Sequence, residues 1–568
     1  MQKLELTWIG KGQEPEIEPR ILVHDKEKSY GDENTENMLI HGDNLLALKA
    51  LEQDFGGKIK CVYIDPPYNT GNAFEHYDDF QEHSIWLNLM YDRLKIIYNL
   101  LLNDGFLFLQ LDSNEVHYCK VILDEIFGRK NFVNQISYER SAVSGIGQGA
   151  SIVNTGEYIL IYKKNDGELN NINSYVKLDL PTMKRYNKVL ENEGDKILIN
   201  EFISKSNGEK VKIFKHENFK IRSISFRGYD KNINEIDKEY FENYKKLFRT
   251  FLIQKENSFQ QDIIKDMDKD CLYSIEYIPS RGKNKDKLTN LYYSNKELVG
   301  WLKDSAIYEN NTILKSSKLT NIWSHAEIPK ADLPNEGGIS FPRSKKPEQL
   351  IKRILELATN ENDIVLDSFL GSGTTAAVAH KMKRRWIGIE LGEHCYTHCI
   401  PRLQRVIDGA DQYGISKAIT WKGGGGFKFY ELAPSLLKKD KYDNWIIDQD
   451  NYNADMLAAA VAKLNGYFYN PDKEVFWKQG KSTECSYIFT TTQYVTAQYL
   501  ESLANELDFN ERLLVCCPAF DSGLNNSYDN ITIKKIPQSV LNRCQFGVSD
   551  YNMNIISDEE FKEYEDEV

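Results

Sequence analysis

The sequence has few of the features that mark secreted and membrane proteins. Its nine cysteines form no Cys-x-x-Cys pair, and it shows neither a signal peptide nor a long apolar run. These absences disfavour a disulfide framework and a membrane span, so a reduced cytoplasm without membrane contact is the expected location. With 568 residues, the chain is long enough to form several domains with substantial cores.

The chain also has fewer positive than negative side chains, 71 Lys and Arg against 84 Asp and Glu, which gives a formal net charge of −13. Bulk charge therefore does not indicate a nucleic-acid-binding protein. The distribution is uneven, however: residues 171–310 contain 26 Lys and Arg against 22 Asp and Glu, whereas residues 431–568 contain 12 against 23. A basic middle and an acidic end are expected if only the middle faces phosphate, although so small an excess also fits ordinary scatter of surface charges.

Metal-binding and phosphate-binding signatures are incomplete. His394, Cys395, His398 and Cys399 lie close together, but no second Cys/His group accompanies them, so no metal is expected. The glycine turn at residues 371–373 is not followed by a P-loop lysine, and it lacks the third glycine of a dinucleotide fingerprint.

One short stretch carries the strongest signal in the chain. Ile59–Ile64 is rich in β-branched and aromatic residues and predicts a buried strand, which Asp65, Pro66 and Pro67 end because proline cannot donate to a sheet ladder. The Asp65 carboxylate and the Pro66 carbonyl would accept the two N–H bonds of an exocyclic base amine, while Tyr68 would stack on the base. A plain type I turn after a strand is the alternative interpretation.

A second stretch, residues 363–379, predicts a strand, a glycine turn and an Ala-rich helix. Gly371 and Gly373 allow a ligand to approach the backbone at the helix N-terminus. Glu390 ends the next predicted strand about 20 residues on, where an acid would bind ribose hydroxyls. A nucleoside cofactor without a phosphate fits this pattern best, and S-adenosylmethionine is such a cofactor.

Together these stretches resemble the amino-methylating DNA methyltransferases. Asp65-Pro66-Pro67-Tyr68 followed by Phe369-Leu370-Gly371-Ser372-Gly373 is similar to their catalytic and cofactor motifs. This motif order resembles their β group, which includes the modification subunits of type III restriction systems. The resemblance spans roughly residues 35–165 and 320–408 and implies S-adenosylmethionine as cofactor and double-stranded DNA as substrate.

The resemblance also implies roles for single residues. Asp43 is similar to the acid that meets the cofactor adenine, and Lys346 lies in a segment that resembles the cofactor-side motif before the glycine turn. Tyr138 matches a second wall of the base pocket, although one more strand aromatic is an equal alternative. The predicted catalytic residues are Asp65, Pro66, Pro67 and Tyr68, and the predicted cofactor-binding residues are Asp43, Lys346, Asp367, Phe369, Gly371, Gly373, Thr374, Thr375 and Glu390.

The middle of the chain, residues 166–320, interleaves basic and aromatic residues, as suits phosphate contacts with some base readout. By its position it is expected to be the target recognition domain, with a generic α+β insertion as the alternative. Arg281, Lys283 and Lys285 lie in a polar, glycine-bearing loop and are the predicted DNA contacts.

The expected fold is α/β: a doubly wound, Rossmann-like methyltransferase sheet with an inserted α+β domain and a small C-terminal α/β domain. A strand at Glu157–Tyr162 is expected at the sheet edge. The predicted domains are an extension with little core (1–35), the catalytic half (36–165), the insert (166–320), the cofactor half (321–410) and an accessory domain (411–568).

The predicted function is methylation of adenine N6 at specific sites in double-stranded DNA, as the modification enzyme of a restriction-modification or related phage-defence system. Cytosine N4 methylation is the nearest alternative. Asp65 favours adenine, because the similar motif of the cytosine enzymes more often begins with serine in place of this aspartate. A non-catalytic DNA-binding subunit is an alternative of a different class. No nuclease-like cluster is seen, so a separate helicase-nuclease polypeptide is the expected restriction partner, and family analogy suggests a homodimer.

Overall fold

The computed structural model describes most of the chain. The described residues are 5–12, 17–69, 83–140, 154–204, 208–253, 258–265, 267–280, 285–309, 312–330, 332–341, 345–442, 444–448, 450–483 and 485–536. Contacts within the chain divide it into two units: Met1–Asn170 with Thr320–Val568, and Asn171–Leu319. The first unit is interrupted in sequence and contains both stretches that carry the predicted catalytic and cofactor motifs.

The first unit is built on a ten-stranded sheet. In chain order the strands are β1 (Leu22–Gly31), β2 (Met38–His41), β3 (Ile59–Ile64), β4 (Leu101–Leu111), β5 (Phe132–Glu139), β6 (Gly156–Lys163), β7 (Ile322–Trp323), β8 (Ile364–Asp367), β9 (Arg385–Glu390) and β10 (Gly426–Leu432). Their spatial order is β1-β10-β2-β9-β8-β3-β4-β6-β5-β7. The six strands from β10 to β4 are parallel, whereas β1 and β6 are antiparallel to the strands beside them.

Helices cover both faces of this sheet. They are α1 (Asn44–Phe55), α2 (His83–Leu100), α3 (Val116–Leu123), α4 (Glu348–Ala358), α5 (Thr374–Lys381) and α6 (Ile400–Ile407), with π-helical turns at Asp124–Gly128 and Cys395–Cys399. Two further helices, α7 (Ala454–Leu464) and α8 (Ala497–Glu506), belong to the layer that follows β10. Helices α1 to α3 form one core with β3 and β4. Helices α4 to α6 pack on one another, and α4 and α5 also contact β3, β4, β8 and β9. Parallel strands between two helical layers confirm the predicted doubly wound fold.

Strand β3 places an acid at the side of the sheet where the parallel strands end. Five of its six residues are buried, as expected for a central parallel strand that has helices on both faces. Pro66 and Pro67 then remove two backbone donors, so the ladder with the neighbouring strands ends at Ile64. Asp65 is therefore the first residue beyond the strand.

Two segments that composition placed outside the catalytic sheet lie inside it. The predicted N-terminal extension, residues 1–35, contributes β1, and the predicted accessory domain, residues 411–568, contributes β10. Leu22 lies opposite Leu432 in the antiparallel β1–β10 pair. Both domain boundaries are wrong because composition does not reveal these pairings: β1 lies at the sheet edge and is mostly polar, and β10 beside it has polar residues among its buried ones.

The prediction of an edge strand at Glu157–Tyr162 is also wrong. Strand β6 lies between β4 and β5, and Ile159, Leu160 and Ile161 are buried. Because both of its neighbours are antiparallel to it, β6 reverses the direction of the sheet at this position.

After β10 the chain forms a smaller α/β layer with its own core. Its strands are the hairpin pair Leu437–Lys439 and Trp445–Ile447, and a five-stranded sheet of Phe468–Tyr469, Gly480–Thr483, Ser486–Thr490, Arg512–Cys517 and Ile531–Lys535. The last three strands are parallel.

The second unit, Asn171–Leu319, is α+β. Its eight antiparallel strands are, in spatial order, Lys220–Ser223, Lys188–Asn192, Leu247–Phe251, Glu297–Trp301, Thr289–Ser294, Leu272–Tyr277, Lys210–Glu217 and Asp195–Ile203. A three-stranded sheet consists of Ala306–Glu309, Thr312–Lys318 and Asn173–Lys177, and the helices are Leu180–Arg185, Ile233–Glu242 and Ser258–Lys265. Tyr240, Tyr273 and Tyr293 are buried, so several aromatics of this unit form its core. Within the described residues of the chain, no helix has the length and apolar character needed to cross a bilayer.

Candidate active site

Four acids lie where four adjacent parallel strands end. Asp43 follows β2, Asp65 follows β3, Asp367 ends β8 and Glu390 ends β9. Since carboxyl ends of parallel neighbours meet at one edge of a sheet, these acids face a common region. A cavity there, which we call the glycine-loop cavity, is lined by Tyr63, Asp65, Phe341, Lys346, Asp367, Phe369, Leu370, Gly371, Ser372, Thr374 and Thr375. The structure thus brings the two sequence stretches together in one cavity.

The glycine turn before α5 depends on left-handed backbone. Gly371 has φ 57° and Gly373 has φ 77°, conformations that glycine adopts without steric cost. Gly373 immediately precedes α5, and Thr374 and Thr375 form the first turn of that helix. Two side-chain bonds fix this turn: Thr374 Oγ1 donates to the Lys346 carbonyl at 3.3 Å, and Thr375 Oγ1 donates to Asp367 Oδ2 at 2.6 Å.

Glu390 supports the turn from the adjacent strand. Its Oε2 accepts a 2.7 Å hydrogen bond from the Gly371 N–H, and its Oε1 accepts from the N–H groups of Leu391 and Gly392. His394 Nε2 lies 2.9 Å from the same Oε1. Burial alone would raise the pKa of Glu390, but His394 and these backbone donors outweigh it and lower the pKa. Glu390 is therefore a charged anchor for the loop, and its contact with a ribose stays a prediction.

Asp367 is a buried acid without a cationic partner among its hydrogen bonds in the described structure. It accepts from Thr375 and, at 3.0 Å, from the backbone N–H of Phe369. Burial raises its pKa to about 7, and the nearby charges of Asp65 and Glu390 add to the rise. A carboxyl in this state gains from a ligand that brings positive charge or hydrogen-bond donors.

Asp43 has a local structural role. Its side chain caps α1 by accepting from the N–H groups of Leu45 and Leu46, and its other oxygen lies 3.2 Å from Arg93 Nη2. About a quarter of the carboxylate side chain, 28%, stays exposed. The predicted contact of Asp43 with a cofactor adenine stays a prediction.

The second wall of the site is centred on Asp65. Its Oδ1 accepts a hydrogen bond from the Tyr68 hydroxyl, and its Oδ2 lies 2.5 Å from Lys346 Nζ. Burial raises the pKa of Asp65, although the ammonium of Lys346 opposes the rise. Lys346 was predicted to bind a cofactor; in the structure it lines the cavity and forms an ion pair with the predicted catalytic acid.

The short segment from Asp65 to Tyr68, directly after β3, is held by a tryptophan side chain. Trp86, a buried residue of α2, donates from Nε1 to the Pro67 carbonyl at 2.8 Å. Since Pro67 has no backbone N–H and a fixed φ, this bond to its carbonyl restrains the orientation of the peptide that leads to Tyr68.

Glu157 is the functional candidate that sequence reasoning missed. It lies in β6 and is 3% exposed, and its Oε2 accepts from the amide of Gln110 and from the Tyr68 hydroxyl at 3.1 Å. Arg140 Nη1 lies 3.3 Å from Oε1, and Lys346 Nζ lies 4.0 Å from Oε2. Burial would raise the pKa of Glu157, but the two cations and the hydrogen bonds lower it. The sequence feature that could have identified Glu157 is an acid at the start of an otherwise apolar strand.

A second cavity of about 520 Å³ lies beside the first. We call it the Tyr138 cavity; its lining residues are Tyr138, Arg140, Asn154, Glu157, Lys330, Leu333, Pro334, Ile339, Ser340, Phe341, Lys345, Lys346 and Pro347. Phe341 and Lys346 line both cavities. The Tyr138 hydroxyl is buried and has no hydrogen-bond partner among the described residues. Burial lowers the pKa of Lys330 to about 8.

The remaining predicted residues lie elsewhere. Lys285 belongs to the second unit, and its side chain is 63% exposed. Arg281 and Lys283 lie outside the described residues. In the His/Cys cluster, the Cys399 thiol donates to the Gly371 carbonyl and His398 contacts the Ser340 carbonyl. This cluster therefore contacts the backbone of the glycine turn through Cys399 and the backbone of Ser340 through His398.

Comparison with known proteins adds a family to this geometry. A family model described as DNA methylase matches residues 59–220 and 167–400, which together span more than half of the chain. The match includes both walls of the site and the second unit.

Three relatives named as Mod subunits of type III restriction-modification enzymes are similar to this chain. The probable HindVI subunit of Haemophilus influenzae is 41% identical over 70% of this chain and 54% of its own length. The StyLTI subunit of Salmonella typhimurium is 27% identical over 64% of this chain and 51% of its length, and the EcoP15I subunit of Escherichia coli is 25% identical over 78% and 73%. The chain thus spans about half the length of the first two.

Proposed function

Because this chain belongs to the DNA methylase family, we propose that it is a site-specific DNA methyltransferase that methylates N6 of an adenine in double-stranded DNA. The observation that carries the proposal is the placement of Asp65. Its carboxylate lines the glycine-loop cavity, and its partner Lys346 lines both that cavity and the Tyr138 cavity. An acid that lines one cavity and pairs with a lysine shared by the next cavity lies where a methyl donor and a base would meet.

S-adenosylmethionine is the proposed cofactor for the glycine-loop cavity. The lining fits it, because the Asp367 carboxyl suits hydroxyl, amino and sulfonium groups, and the acids Asp43 and Glu390 at neighbouring strand ends add negative charge that disfavours a phosphate. Among the described residues that line this cavity, Lys346 is the single basic side chain, and it is paired with Asp65. When bound, this cofactor supplies an electrophilic methyl group on a positively charged sulfur.

Asp65 and Pro66 act on the target amine in this proposal. The amine is a poor nucleophile, because its lone pair is delocalised into the purine ring. The Asp65 carboxylate and the Pro66 carbonyl accept its two N–H bonds and favour the pyramidal nitrogen that attacks. The methylated nitrogen then loses one proton, which Asp65 takes and passes to water. Burial that raises the pKa of Asp65 suits this last role.

The Tyr138 cavity is the proposed site of the flipped adenine. Its aromatic residues Tyr138 and Phe341, together with Tyr68, whose ring centroid lies 5.3 Å from Lys346 Nζ, offer the stacking surfaces that an extruded base needs. Arg140, which is about half exposed, and Lys330 add positive charge that suits the flanking phosphates.

The wider assembly is proposed from the relatives. The second unit, with Lys285 and the adjoining Arg281 and Lys283, is proposed to bind DNA and select the target sequence. Since the similar proteins are named as Mod subunits of restriction-modification enzymes, a helicase-nuclease subunit is the proposed partner. We also propose a homodimer and a cytoplasmic location.

The deciding experiment is expression in a bacterial host that lacks its own adenine methylases. Mass spectrometry of nucleosides from the host DNA should show N6-methyladenine, and long-read sequencing should place it in one sequence motif. The matched control is the same host expressing Asp65→Ala. N4-methylcytosine in place of N6-methyladenine would replace the adenine assignment, and unmodified DNA with intact DNA binding would favour a non-catalytic subunit.

A further inference from the structure

Both oxygens of Asp65 are already engaged. The Tyr68 hydroxyl donates to Oδ1, and Lys346 Nζ lies 2.5 Å from Oδ2. The proposed reaction needs one of these oxygens to accept a hydrogen bond from the target amine. The ammonium of Lys346 takes up part of the acceptor capacity of Oδ2 and neutralises the charge of the carboxylate, so Asp65 is a stronger acceptor for the amine once the ammonium has moved away.

A destination for that ammonium lies next to it. Glu157 Oε2 is 4.0 Å from Lys346 Nζ, so a small rotation of the lysine side chain exchanges one carboxylate for the other. Glu157 is held in place by Gln110 and is almost completely buried. An ammonium that left Asp65 without such a partner would be a buried unpaired charge, which is costly.

Tyr68 can follow the same exchange. Its hydroxyl lies within hydrogen-bond distance of Asp65 Oδ1 and of Glu157 Oε2, at 3.1 Å from the latter. One hydroxyl hydrogen donates to one acceptor at a time. Both groups that occupy Asp65 therefore have Glu157 as their alternative acceptor.

We propose that Glu157 is a positioning residue that takes Lys346 from Asp65 when the target amine enters, so that Asp65 becomes available as an acceptor. This inference rests on the proposed function, because it concerns the amine that Asp65 binds. It assigns to Glu157 a role that acts through Lys346, without contact to the reacting atoms.

The net charge of three side chains gives the proposal a measurable consequence. Asp65, Glu157 and Lys346 together carry a net charge of −1 when all are ionised. Glu157→Gln brings this to zero and leaves Lys346 bound to Asp65, whereas the double variant Glu157→Gln/Lys346→Met restores −1 with no ammonium on Asp65. A role in folding alone predicts that the double variant is no better than the single one.

The first measurement is turnover, with the wild type assayed for methylation beforehand. We expect Glu157→Gln to lower kcat by at least about 30-fold and the double variant to recover about tenfold of that loss. The double variant Glu157→Gln/Lys352→Met is the matched control, because Lys352 pairs with Glu356 on α4 and lines neither cavity; it should recover nothing. Glu157→Asp keeps the charge and should keep most of the activity.

The second measurement does not use turnover. With sinefungin bound and the target base placed opposite an abasic position, so that no base pair is lost on flipping, the wild type should bind DNA with the target adenine about 3- to 10-fold more tightly than DNA with purine, which lacks the amine. This preference should disappear in Glu157→Gln and return in the double variant. If Glu157→Gln fails to bind sinefungin, the single variant Lys346→Met decides the question. Removal of the ammonium frees Asp65, so the preference for adenine over purine should be maintained or increased. Loss of this preference would overturn the inference.

The outcomes separate the two proposals. A wild type that methylates no DNA defeats the proposed function. A wild type that methylates adenine, with a double variant no more active than Glu157→Gln, defeats the inference alone.

Discussion

The backbone N–H of Gly371 donates a 2.7 Å hydrogen bond to Glu390 Oε2, so the acid that ends β9 fixes the turn that begins α5. His394 and two further N–H groups hold the same carboxylate on its other oxygen. The shape of the glycine-loop cavity is therefore set by protein contacts before a ligand enters.

Replacing Glu390 with glutamine should weaken this cavity, because an amide nitrogen cannot accept a backbone hydrogen bond. We expect cofactor affinity to fall about tenfold and the free energy of unfolding to fall by about 1–3 kcal/mol. Calorimetric titration with S-adenosylhomocysteine and thermal unfolding measure the two effects. Glu393→Gln, at an exposed acid of the next turn, is the control, and equal affinities for the two variants would contradict the anchor role.

Asp65→Ala should remove turnover while the protein still binds cofactor. The acceptor for the amine is lost, so we expect kcat to fall about 100-fold or more, with cofactor affinity changed by less than about threefold. Radiolabelled methyl transfer and calorimetry give the two numbers. Asp104→Asn, at a side chain 57% exposed on β4, should behave as wild type. Methylation that persists in Asp65→Ala would disprove the mechanism.

Trp86→Phe should impair catalysis without loss of the core. The variant keeps an aromatic ring but removes the 2.8 Å bond to the Pro67 carbonyl, so we expect a roughly threefold to tenfold lower kcat and unchanged cofactor affinity. Trp421→Phe removes an equivalent 2.7 Å bond to the Val406 carbonyl away from the site. If both variants lose the same kcat, the bond to Pro67 has no special role.

Asp367 makes stability depend on pH. Its pKa rises from 3.8 to about 7 on folding, so the folded protein binds a proton there that the unfolded chain releases. Stability should therefore fall as pH rises from about 4 to 7 and level off above 7. Asp367→Asn should flatten this fall in thermal unfolding curves recorded from pH 5 to pH 8, whereas Asp104→Asn should not. A wild-type slope that survives in Asp367→Asn would assign it to another group.

The loop of Arg281, Lys283 and Lys285 should govern DNA affinity and not cofactor affinity. Changing all three residues to alanine should reduce the slope of log affinity against log salt concentration by up to about 3. Fluorescence anisotropy over a salt series measures it. The control changes three exposed lysines of the first unit, Lys417, Lys422 and Lys473, to alanine. Equal slopes in both triple variants would remove the loop from the DNA interface.

Local patterns in the sequence were sufficient for the core of the site. A buried strand stopped by two prolines, and a glycine turn between a strand and a helix, are determined by neighbouring residues, so Asp65 and Gly371 could be assigned to strand ends. Their convergence then followed from the rule that parallel strands end at one edge.

The features that sequence reasoning missed depend on partners that are distant in the chain. Glu157 becomes interpretable only when β6 lies beside β4, which places Gln110 next to it. Similarly, the ion pair of Lys346 with Asp65 requires the loop before α4 to reach the end of β3. Periodicity and composition describe single elements and carry no information on these pairings.

The pairing of Leu22 with Leu432 bears on synthesis of the chain. A ribosome releases β1 long before it reaches β10, so the edge of the sheet stays open while the second unit is made and folds. A nascent chain that stops at the glycine run near Gly423 leaves both β1 and β2 without a shared neighbour. Fragments intended to represent the catalytic unit should therefore extend through Leu432, and shorter ones should aggregate through the exposed backbone of β2.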